Sequence, residues 1–182
     1  VESPDDNISS IVDSGKHLAN LFKRRCGVGL DISNLRPENA RVNNSARTTT
    51  GAWSFADFYS YVCRMIGQNG RRGALMISID IRHPDIEKFI KMKRDLTKVT
   101  GANISVKITD EFMRAVENNE TFSLQFPVET DAPTHVSEVE AVTLWTAIVE
   151  SATQTAEPGL LMWDNITKNL PAHEYEDFKK KT

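Results

Sequence analysis

The chain has 182 residues, of which 40% are hydrophobic and 26% are charged, and these proportions are ordinary for one globular domain. They exclude a disordered, collagen-like or low-complexity chain, and no apolar run approaches the ~18 residues that span a bilayer. The net charge of −3 disfavours a protein whose whole surface binds nucleic acid. Two cysteines are too few for a disulfide framework, which favours a reducing compartment such as the cytoplasm.

Charge is distributed unevenly along the chain. Residues 14–72 carry ten Lys or Arg against three acidic residues, a net of +7, whereas residues 1–13 carry −4 and residues 73–182 carry −6. A basic segment inside an acidic protein is typical of local anion binding. A solvated basic surface without a ligand explains the pattern equally well, so charge alone leaves both interpretations open.

Hydrophobic periodicity predicts helices that alternate with strands. A helix over 7–22 has apolar residues three and four apart with Asp6 placed to cap it, and Ser54 with Asp57 forms a second cap pattern. The alternation predicts mostly parallel β/α units and therefore an α/β fold. After the first helix, the predicted elements are a strand over 28–32, a long loop, a helix after Ser54, a strand over 74–81, a helix over 84–93, a strand over 104–108, a helix capped by Thr109 or Asp110, a strand over 122–126, a polar connector over 127–137, a helix over 138–155, a strand over 160–163 and a C-terminal helix.

The glycine-rich segment 68–73 has the composition of a nucleotide-contacting loop. Gln68 and Asn69 offer both a donor and an acceptor to a base edge, and Arg71 and Arg72 can bind phosphate or stack on a base. The segment lacks the Gly-Lys-Ser/Thr ending of a P-loop, which argues against a nucleoside triphosphatase. A solvated surface loop remains the alternative.

Candidate catalytic residues are few. Gly27 and Gly29 stand at a helix–strand junction where a ligand could approach the main chain, although a tight turn explains them as well. Cys26 and Cys63 are expected to be packed thiols, because they lie 37 residues apart and form no Cys-x-x-Cys motif. The four histidines show no metal-ligand spacing, and His83, which precedes a proline at a helix start, is expected to be structural. We therefore predict no metal site and no catalytic residue.

Several segments carry motifs that occur together in one family. They are 27–37, 43–55, 66–76, 83–85 with 98–106, and 156–159. In order and spacing they resemble the large catalytic subunit of ribonucleotide reductases, and the match runs through essentially the whole chain. The forms Gln-Asn-Gly-Arg-Arg-Gly-Ala-Leu-Met at 68–76 and Lys-Val-Thr-Gly-Ala-Asn at 98–103 most resemble the adenosylcobalamin-dependent class II members.

The resemblance implies part of a ten-stranded α/β barrel, built in the family from two half-barrels of parallel strands. Family members use a thiyl radical to abstract the ribose 3′ hydrogen, the 2′-hydroxyl leaves as water, and a cysteine pair supplies the electrons. The family positions of these cysteines lie outside residues 1–182, and neither Cys26 nor Cys63 matches them. Because the chain also begins at Val1 rather than Met, we expect an internal fragment that is inactive alone.

For the full-length enzyme, the resemblance implies adenosylcobalamin as cofactor and dNTP or ATP as allosteric effectors. The implied activity is that of a ribonucleoside-diphosphate reductase. A ribonucleoside triphosphate stays open as an alternative substrate. A homodimer and an external dithiol reductant such as thioredoxin are the implied partners, whereas nucleic acid and membranes are not. Two alternatives stay open: a class I metal-radical-dependent large subunit, and a non-catalytic nucleotide-sensing module.

The resemblance also implies an allosteric specificity site. Asp6 matches the carboxylate that hydrogen-bonds the effector's deoxyribose hydroxyl, Arg36 matches a basic residue facing the effector phosphates, and residues 43–51 match the first effector loop. Lys23 is a further candidate for this site. The expected effector-binding residues are thus Asp6, Lys23, Arg36, Asn43 and Arg47.

A second implied loop lies between effector and substrate. It is the segment 68–73, whose side chains would sense the effector base and reposition for the incoming substrate base. Gly27 matches a main-chain position beside the substrate base. Residues 1–76 would then hold the effector-site helices and loops, and residues 77–182 the remaining β/α units. The expected specificity and substrate residues are Gly27, Gln68, Asn69, Arg71 and Arg72.

Overall fold

The structure, a computed structural model, describes residues 1–43, 47–66 and 73–171. Helices and strands alternate through most of these residues, as the hydrophobic periodicity predicts. The helices are α1 Ile8–Lys23, α2 Ala52–Met65, α3 Ile86–Lys91, α4 Asp110–Asn118, α5 Ala141–Thr155 and α6 Trp163–Lys168, and a 3₁₀ turn over Met92–Arg94 follows α3. The strands are β1 Gly27–Asp31, β2 Ala74–Asp80, β3 Asn103–Ile108, β4 Thr121–Phe126, β5 His135–Glu140 and β6 Gly159–Met162.

Four strands form a parallel sheet in the order β1-β2-β3-β6. The register aligns Leu30 with Ile77, and Ile77 with Ile104. These three side chains and those of Ile79 and Val106 are almost completely buried, because helices that connect parallel strands pack on the faces of the sheet. The predicted parallel β/α units are confirmed for these four strands.

Strands β4 and β5 form a separate antiparallel ribbon that pairs Phe122 with Val139 and Phe126 with His135. The prediction of a polar connector over 127–137 is therefore wrong for residues 135–137, which belong to β5. The helix predicted from residue 138 begins at Ala141. Strand β5 is exposed along nearly its whole length. Its pairing with β4, and not the burial of alternate side chains, makes it a strand, so the hydrophobic pattern could not reveal it.

The caps of α1 and α4 test two predictions. Helix α1 begins after Asn7, whose side chain accepts a hydrogen bond from the main-chain N–H of Ser10 at 2.9 Å. The prediction that Asp6 caps this helix is therefore wrong. Thr109 caps α4 by accepting from the main-chain N–H of Phe112 at 3.2 Å, as one of the two predicted alternatives requires.

The cap pattern predicted for α2 is also wrong. This helix begins at Ala52, two residues before Ser54, and its N-cap is Gly51, which has no side chain to donate or accept a hydrogen bond. The Asp57 carboxylate instead accepts the main-chain N–H of Val99 at 3.0 Å and fastens the segment before β3 to the helix. The N-terminus of α2 must therefore be capped by a residue from elsewhere in the chain.

Large buried side chains join the helices to the sheet. Tyr59 of α2, Phe89 of α3 and Phe112 of α4 are fully buried, and the Tyr59 hydroxyl donates to the main-chain oxygen of Ile11 in α1 at 3.2 Å. Helices α1 and α2 therefore form one packed pair. No helix among the described residues combines the length and the apolar character needed to cross a bilayer.

Candidate functional site

Asp6 and Arg36 form an ion pair across 30 residues of sequence. Nε of Arg36 lies 2.7 Å from Oδ2 of Asp6, the main-chain N–H of Arg36 donates to Oδ1 at 3.1 Å, and Nη2 donates to the Asp6 carbonyl at 3.1 Å. The Arg36 side chain is 32% exposed and the Asp6 side chain is 30% exposed, so a ligand can reach both. This pairing explains why Asp6 does not cap α1, because Arg36 occupies its carboxylate.

The Asp6–Arg36 pair keeps capacity to bind a ligand. A guanidinium has five N–H donors, of which one on Nε, one on Nη2 and one on Nη1 are used, the last by the Arg41 carbonyl at 2.8 Å. Two donors therefore remain without a partner among the described residues. A carboxylate has about four acceptor positions, and Arg36 takes two of them. The pair can thus bind a hydroxyl group and an anionic oxygen side by side.

The loop over 39–49 lies beside this pair, because the Arg41 carbonyl accepts from Arg36. Three main-chain hydrogen bonds of 2.8 to 3.0 Å close the loop on itself. Asn43 and Arg47 lie exposed on it, and Arg47 has a positive φ of 62°. Residues 44–46 between them lie outside the described residues. The structure thus brings Arg36 and the stems of the first predicted effector loop together.

Lys23 lies at the opposite end of α1 from Asp6. The helix has 16 residues, which corresponds to about 24 Å at the usual rise per residue. Lys23 is exposed in its last turn, just before the turn that leads to Gly27. The structure therefore places Lys23 on the side of Gly27 and not with the Asp6–Arg36 pair.

Gly27 lines an open pocket of about 380 Å³ at the amino ends of the parallel strands. The first residues of all four strands, Gly27, Ala74, Asn103 and Gly159, contribute to its wall. A Cβ atom at Gly27 would lie 3.7 Å from the nearest atom, the Cβ of Ala74. The fold itself therefore tolerates a side chain at this position, and the glycine leaves space in the pocket for a ligand.

The second predicted loop, except for Gly73, lies outside the described residues. Gln68, Asn69, Arg71 and Arg72 all fall within 67–72, so their positions stay predictions. The described flanks of this segment are the C-terminal end of α2 and the start of β2. Since Ala74 lines the pocket, one residue separates the segment from the pocket wall.

Asp85 is a buried residue of this region that sequence reasoning missed. Its carboxylate accepts the main-chain N–H of Glu38 at 3.0 and 3.2 Å and that of Ala52 at 2.8 Å. Asp85 thereby caps α2, which Gly51 cannot do itself. The signal in the sequence was a helix that starts after a glycine without its own cap, but nothing in the sequence pointed to a partner 33 residues away.

His83 links Asp85 to the segment that carries Arg36. Nε2 of His83 lies 2.8 Å from the Leu35 carbonyl, and Nδ1 accepts the main-chain N–H of Asp85 at 3.0 Å. Because Nδ1 accepts, the ring is neutral with its proton on Nε2. Burial lowers the pKa of His83 and raises the pKa of Asp85, which agrees with a neutral imidazole. The structural role predicted for His83 is confirmed.

We expect His83 to make folding pH-dependent. The unfolded imidazole takes up a proton near pH ~6.5, whereas the folded ring has a lower pKa, so the unfolded state binds more protons just below that value. The free energy of unfolding should therefore fall, by up to ~1.4 kcal/mol per pH unit, as the pH drops from about 7 to about 5.5. Denaturant unfolding at several pH values would measure this slope.

The control is His83→Gln, which keeps an N–H for the Leu35 carbonyl but does not titrate. We expect a lower stability but a shallower slope in this variant. Asp85 acts in the opposite sense, because its raised pKa means that the folded state binds more protons as the pH approaches ~4. Both proteins contain Asp85, so the difference between their slopes reports His83. Equal slopes in the two proteins would contradict the prediction.

The two cysteines differ in environment. Cys63 is a buried thiol whose pKa is raised by burial, as expected of a packed cysteine, whereas Cys26 is exposed. The prediction of a packed thiol is therefore wrong for Cys26, which lies in the turn between α1 and β1 where no layer covers it. Among the described residues, no group of three His, Cys, Asp or Glu side chains could hold a metal ion.

Nearly the whole sequence is similar to one family of known proteins. The sequence model described as "Ribonucleotide reductase, barrel domain" matches residues 1–177. The chain belongs to this family. The resemblance of the sequence motifs to ribonucleotide reductases is thus confirmed, and the parallel sheet with its connecting helices is consistent with part of the family's α/β barrel.

Curated members of the ribonucleotide reductase family align with most of the chain. The vitamin B12-dependent ribonucleoside-diphosphate reductase of Thermoplasma acidophilum is 32% identical over 176 residues, covering 96% of this chain and 22% of that protein. The protein of the same name from Mycobacterium tuberculosis is 33% identical over 169 residues, covering 92% and 24%. The ribonucleoside-diphosphate reductase large subunit of variola virus is 28% identical over 189 residues, covering 90% and 24%. The chain therefore spans less than a quarter of the length of these relatives.

Proposed function

We propose that the protein containing this chain is an adenosylcobalamin-dependent ribonucleotide reductase that makes deoxyribonucleotides for DNA synthesis. The observation that carries the proposal is the family match over residues 1–177 together with relatives named vitamin B12-dependent reductases at 32% and 33% identity. The relative named simply as a large subunit is more distant, at 28%. The names of these three relatives favour a ribonucleoside diphosphate as the substrate. The two free thiols favour the cytoplasm as the compartment.

Adenosylcobalamin would supply the radical that starts the reduction. Three pockets lined by described residues have volumes of about 320 to 380 Å³, which suit a nucleotide-sized ligand and are too small for a corrinoid. We assign none of the residues that line them to the cofactor. The role proposed for this chain is nucleotide recognition.

The Asp6–Arg36 pair is the proposed effector site. An ionised carboxylate is an acceptor that suits a deoxyribose hydroxyl, and a guanidinium with two remaining donors suits a phosphate. Asn43 and Arg47 on the neighbouring loop would contact the same triphosphate, while Lys23 would act further along α1. Residues 1–76 would thus hold the regulatory site, and residues 77–182 would supply further barrel units.

The pocket at the amino ends of the strands is the proposed wall of the substrate site. Gly27 would let the base lie against the main chain, because its missing side chain leaves that part of the pocket open. Gln68, Asn69, Arg71 and Arg72 would transmit the identity of the effector to this pocket. Their segment is joined to α2 at one end and to a pocket residue at the other, so a rearrangement of it would be felt at both sites.

The outer surface of α1 and α2 is the proposed dimer interface. Ile8 and Val12 lie one turn apart on α1, as do Tyr61 and Met65 on α2. All four side chains are more than half exposed. Exposed apolar side chains on two packed helices are typical of a surface that pairs with a second copy. An effector held beside the N-terminus of α1 would then lie close to that interface.

A reduction assay of the intact protein tests the proposal. We expect ribonucleotide reduction with adenosylcobalamin and a dithiol such as reduced thioredoxin, without a second subunit, and a substrate preference that changes with the added dNTP. Activity that requires a metal-radical partner and ignores the cobalamin would instead indicate a class I large subunit. Nucleotide binding without any reductase activity would indicate a sensing module.

A loop variant tests the regulatory part separately. Alanine at Gln68, Arg71 and Arg72 together should abolish the dependence of substrate preference on the effector, because the side chains that sense both bases are gone. Turnover of the substrate preferred without effector should continue. Retention of the full effector response in this variant would contradict the proposed role of the segment.

A further inference from the structure

One buried carboxylate holds the main chain on both sides of the segment that contains the first predicted effector loop. Asp85 accepts the main-chain N–H of Glu38 on one side of the loop and that of Ala52 on the other. The side chain of Glu38 also forms an ion pair with Lys88 of α3, so Asp85 at the start of α3 and Lys88 within it both hold Glu38. The loop therefore cannot shift at either stem without breaking a hydrogen bond to a buried charge.

His83 adds a tether on the other side of Arg36. Its Nε2 binds the Leu35 carbonyl, and its Nδ1 accepts the main-chain N–H of Asp85. Arg36 is thus flanked by Leu35, held by His83, and by Glu38, held by Asp85. These two short tethers limit the main-chain freedom of the residue that contacts Asp6.

Neither tethering residue can touch a ligand. Asp85 is 5% exposed and His83 is fully buried, whereas Arg36 and Asp6 are about one third exposed. The carboxylate also lies at the N-terminus of α2, where a negative charge is favourable. Any influence of Asp85 on nucleotide binding must therefore pass through the position of the loop and of Arg36.

We propose that Asp85, supported by His83, is the positioning residue that presets the geometry of Arg36 and of the loop stems 39–43 and 47–49, and thereby determines effector affinity without contacting the effector. This inference rests on the proposed effector site. Site residues held by buried hydrogen bonds bind ligands more tightly, because less conformational freedom is lost on binding. Loss of the tether should therefore weaken effector binding more than it changes the reaction itself.

Two substitutions of Asp85 grade the effect. Asp85→Asn keeps one carbonyl oxygen as an acceptor but places an amide group where a second main-chain N–H points, and Asp85→Ala removes both acceptors. In the intact protein we expect the Kd of a dNTP such as dTTP to rise about 3- to 10-fold for Asn and about 10- to 30-fold for Ala. The effector-free kcat and KM for the ribonucleotide should stay within about twofold.

A stability-matched control separates positioning from a general loss of stability. Phe112→Leu removes buried volume where α4 packs on Phe122 of β4, away from the loop, and should lower the thermal midpoint without changing the Kd of the effector. If this variant weakened effector binding as much as Asp85→Asn does at an equal loss of stability, the inference would be wrong. Should Asp85→Ala fail to fold, the comparison of Asp85→Asn with Phe112→Leu still decides.

The outcomes also distinguish this inference from the proposed function. If the unsubstituted protein binds no dNTP, the proposed effector site fails. If the unsubstituted protein binds dNTP and both Asp85 variants bind it with unchanged Kd, the effector site stands and the positioning role of Asp85 is refuted.

Discussion

Replacement of Arg36 by alanine is expected to weaken binding of a deoxynucleoside triphosphate to the intact protein by about 10- to 100-fold. A hydrogen bond to a charged group contributes about 1.5–3 kcal/mol, and each ~1.4 kcal/mol is a factor of ten in affinity. The same change leaves Asp6 without its partner, so its carboxylate would repel the phosphates that Arg36 is proposed to bind. Calorimetric titration with dTTP would measure the loss.

Two further variants make this result specific. Arg36→Lys keeps the charge but loses the fork-shaped donor geometry, and should recover part of the affinity. Arg41→Ala removes a neighbouring exposed charge while its main-chain carbonyl still accepts from Arg36, and should change the Kd by less than about threefold. An Arg36→Ala protein that binds dTTP as tightly as Arg41→Ala does would show that Arg36 is not a phosphate ligand.

Gly51→Ala is expected to lower the free energy of unfolding strongly, far more than an alanine substitution at Gly29. Gly51 has φ 91° and ψ 168°, a region that is essentially restricted to glycine and costs other residues about 1–3 kcal/mol. A Cβ there would overlap Oδ2 of Asp85 and lie 2.8 Å from the main-chain nitrogen of Glu38. Displacement of the buried hydrogen-bonded carboxylate brings the expected loss to about 3–5 kcal/mol.

Gly29→Ala is the matched control. A Cβ at Gly29 would meet its nearest atom, Cε of Met76, at 3.8 Å, which is ordinary contact, and the residue lies in an extended strand that alanine can adopt. Its stability should change by less than about 1 kcal/mol. Chemical denaturation of the two variants would measure the difference, and a Gly51→Ala protein as stable as Gly29→Ala would contradict the account of the α2 cap.

The parts of the fold that depend on local patterns were predictable from the sequence. The apolar run over 74–81 predicted β2, and the apolar positions repeated over 7–22 predicted α1. The exposed strand β5 was missed because its partner strand, and not a hydrophobic pattern, stabilises it. Patterns within a few residues determine helices and buried strands, but they carry no signal for a strand made by pairing alone.

The candidate site shows the same limit more sharply. Asp6 precedes a helix and has the residue type of a cap, yet Arg36 lies 30 residues away and takes its carboxylate. Asp85 caps a helix that starts 33 residues earlier in the chain. Contacts of this kind depend on the tertiary fold, so sequence reasoning assigned roles to Asp6 and Arg36 through a family resemblance and assigned none to Asp85, although the segment 83–85 was part of that resemblance.

The exposed thiol of Cys26 gives this chain a natural attachment point for an optical probe. It immediately precedes Gly27 at the mouth of the pocket, while the other thiol, Cys63, is buried and shielded from reagents. A maleimide dye would therefore attach to Cys26 in the folded chain, without an engineered cysteine. Its fluorescence would respond to a nucleotide that enters between the strand ends, and any change caused by a nucleotide bound at Asp6 would measure the coupling between the two sites.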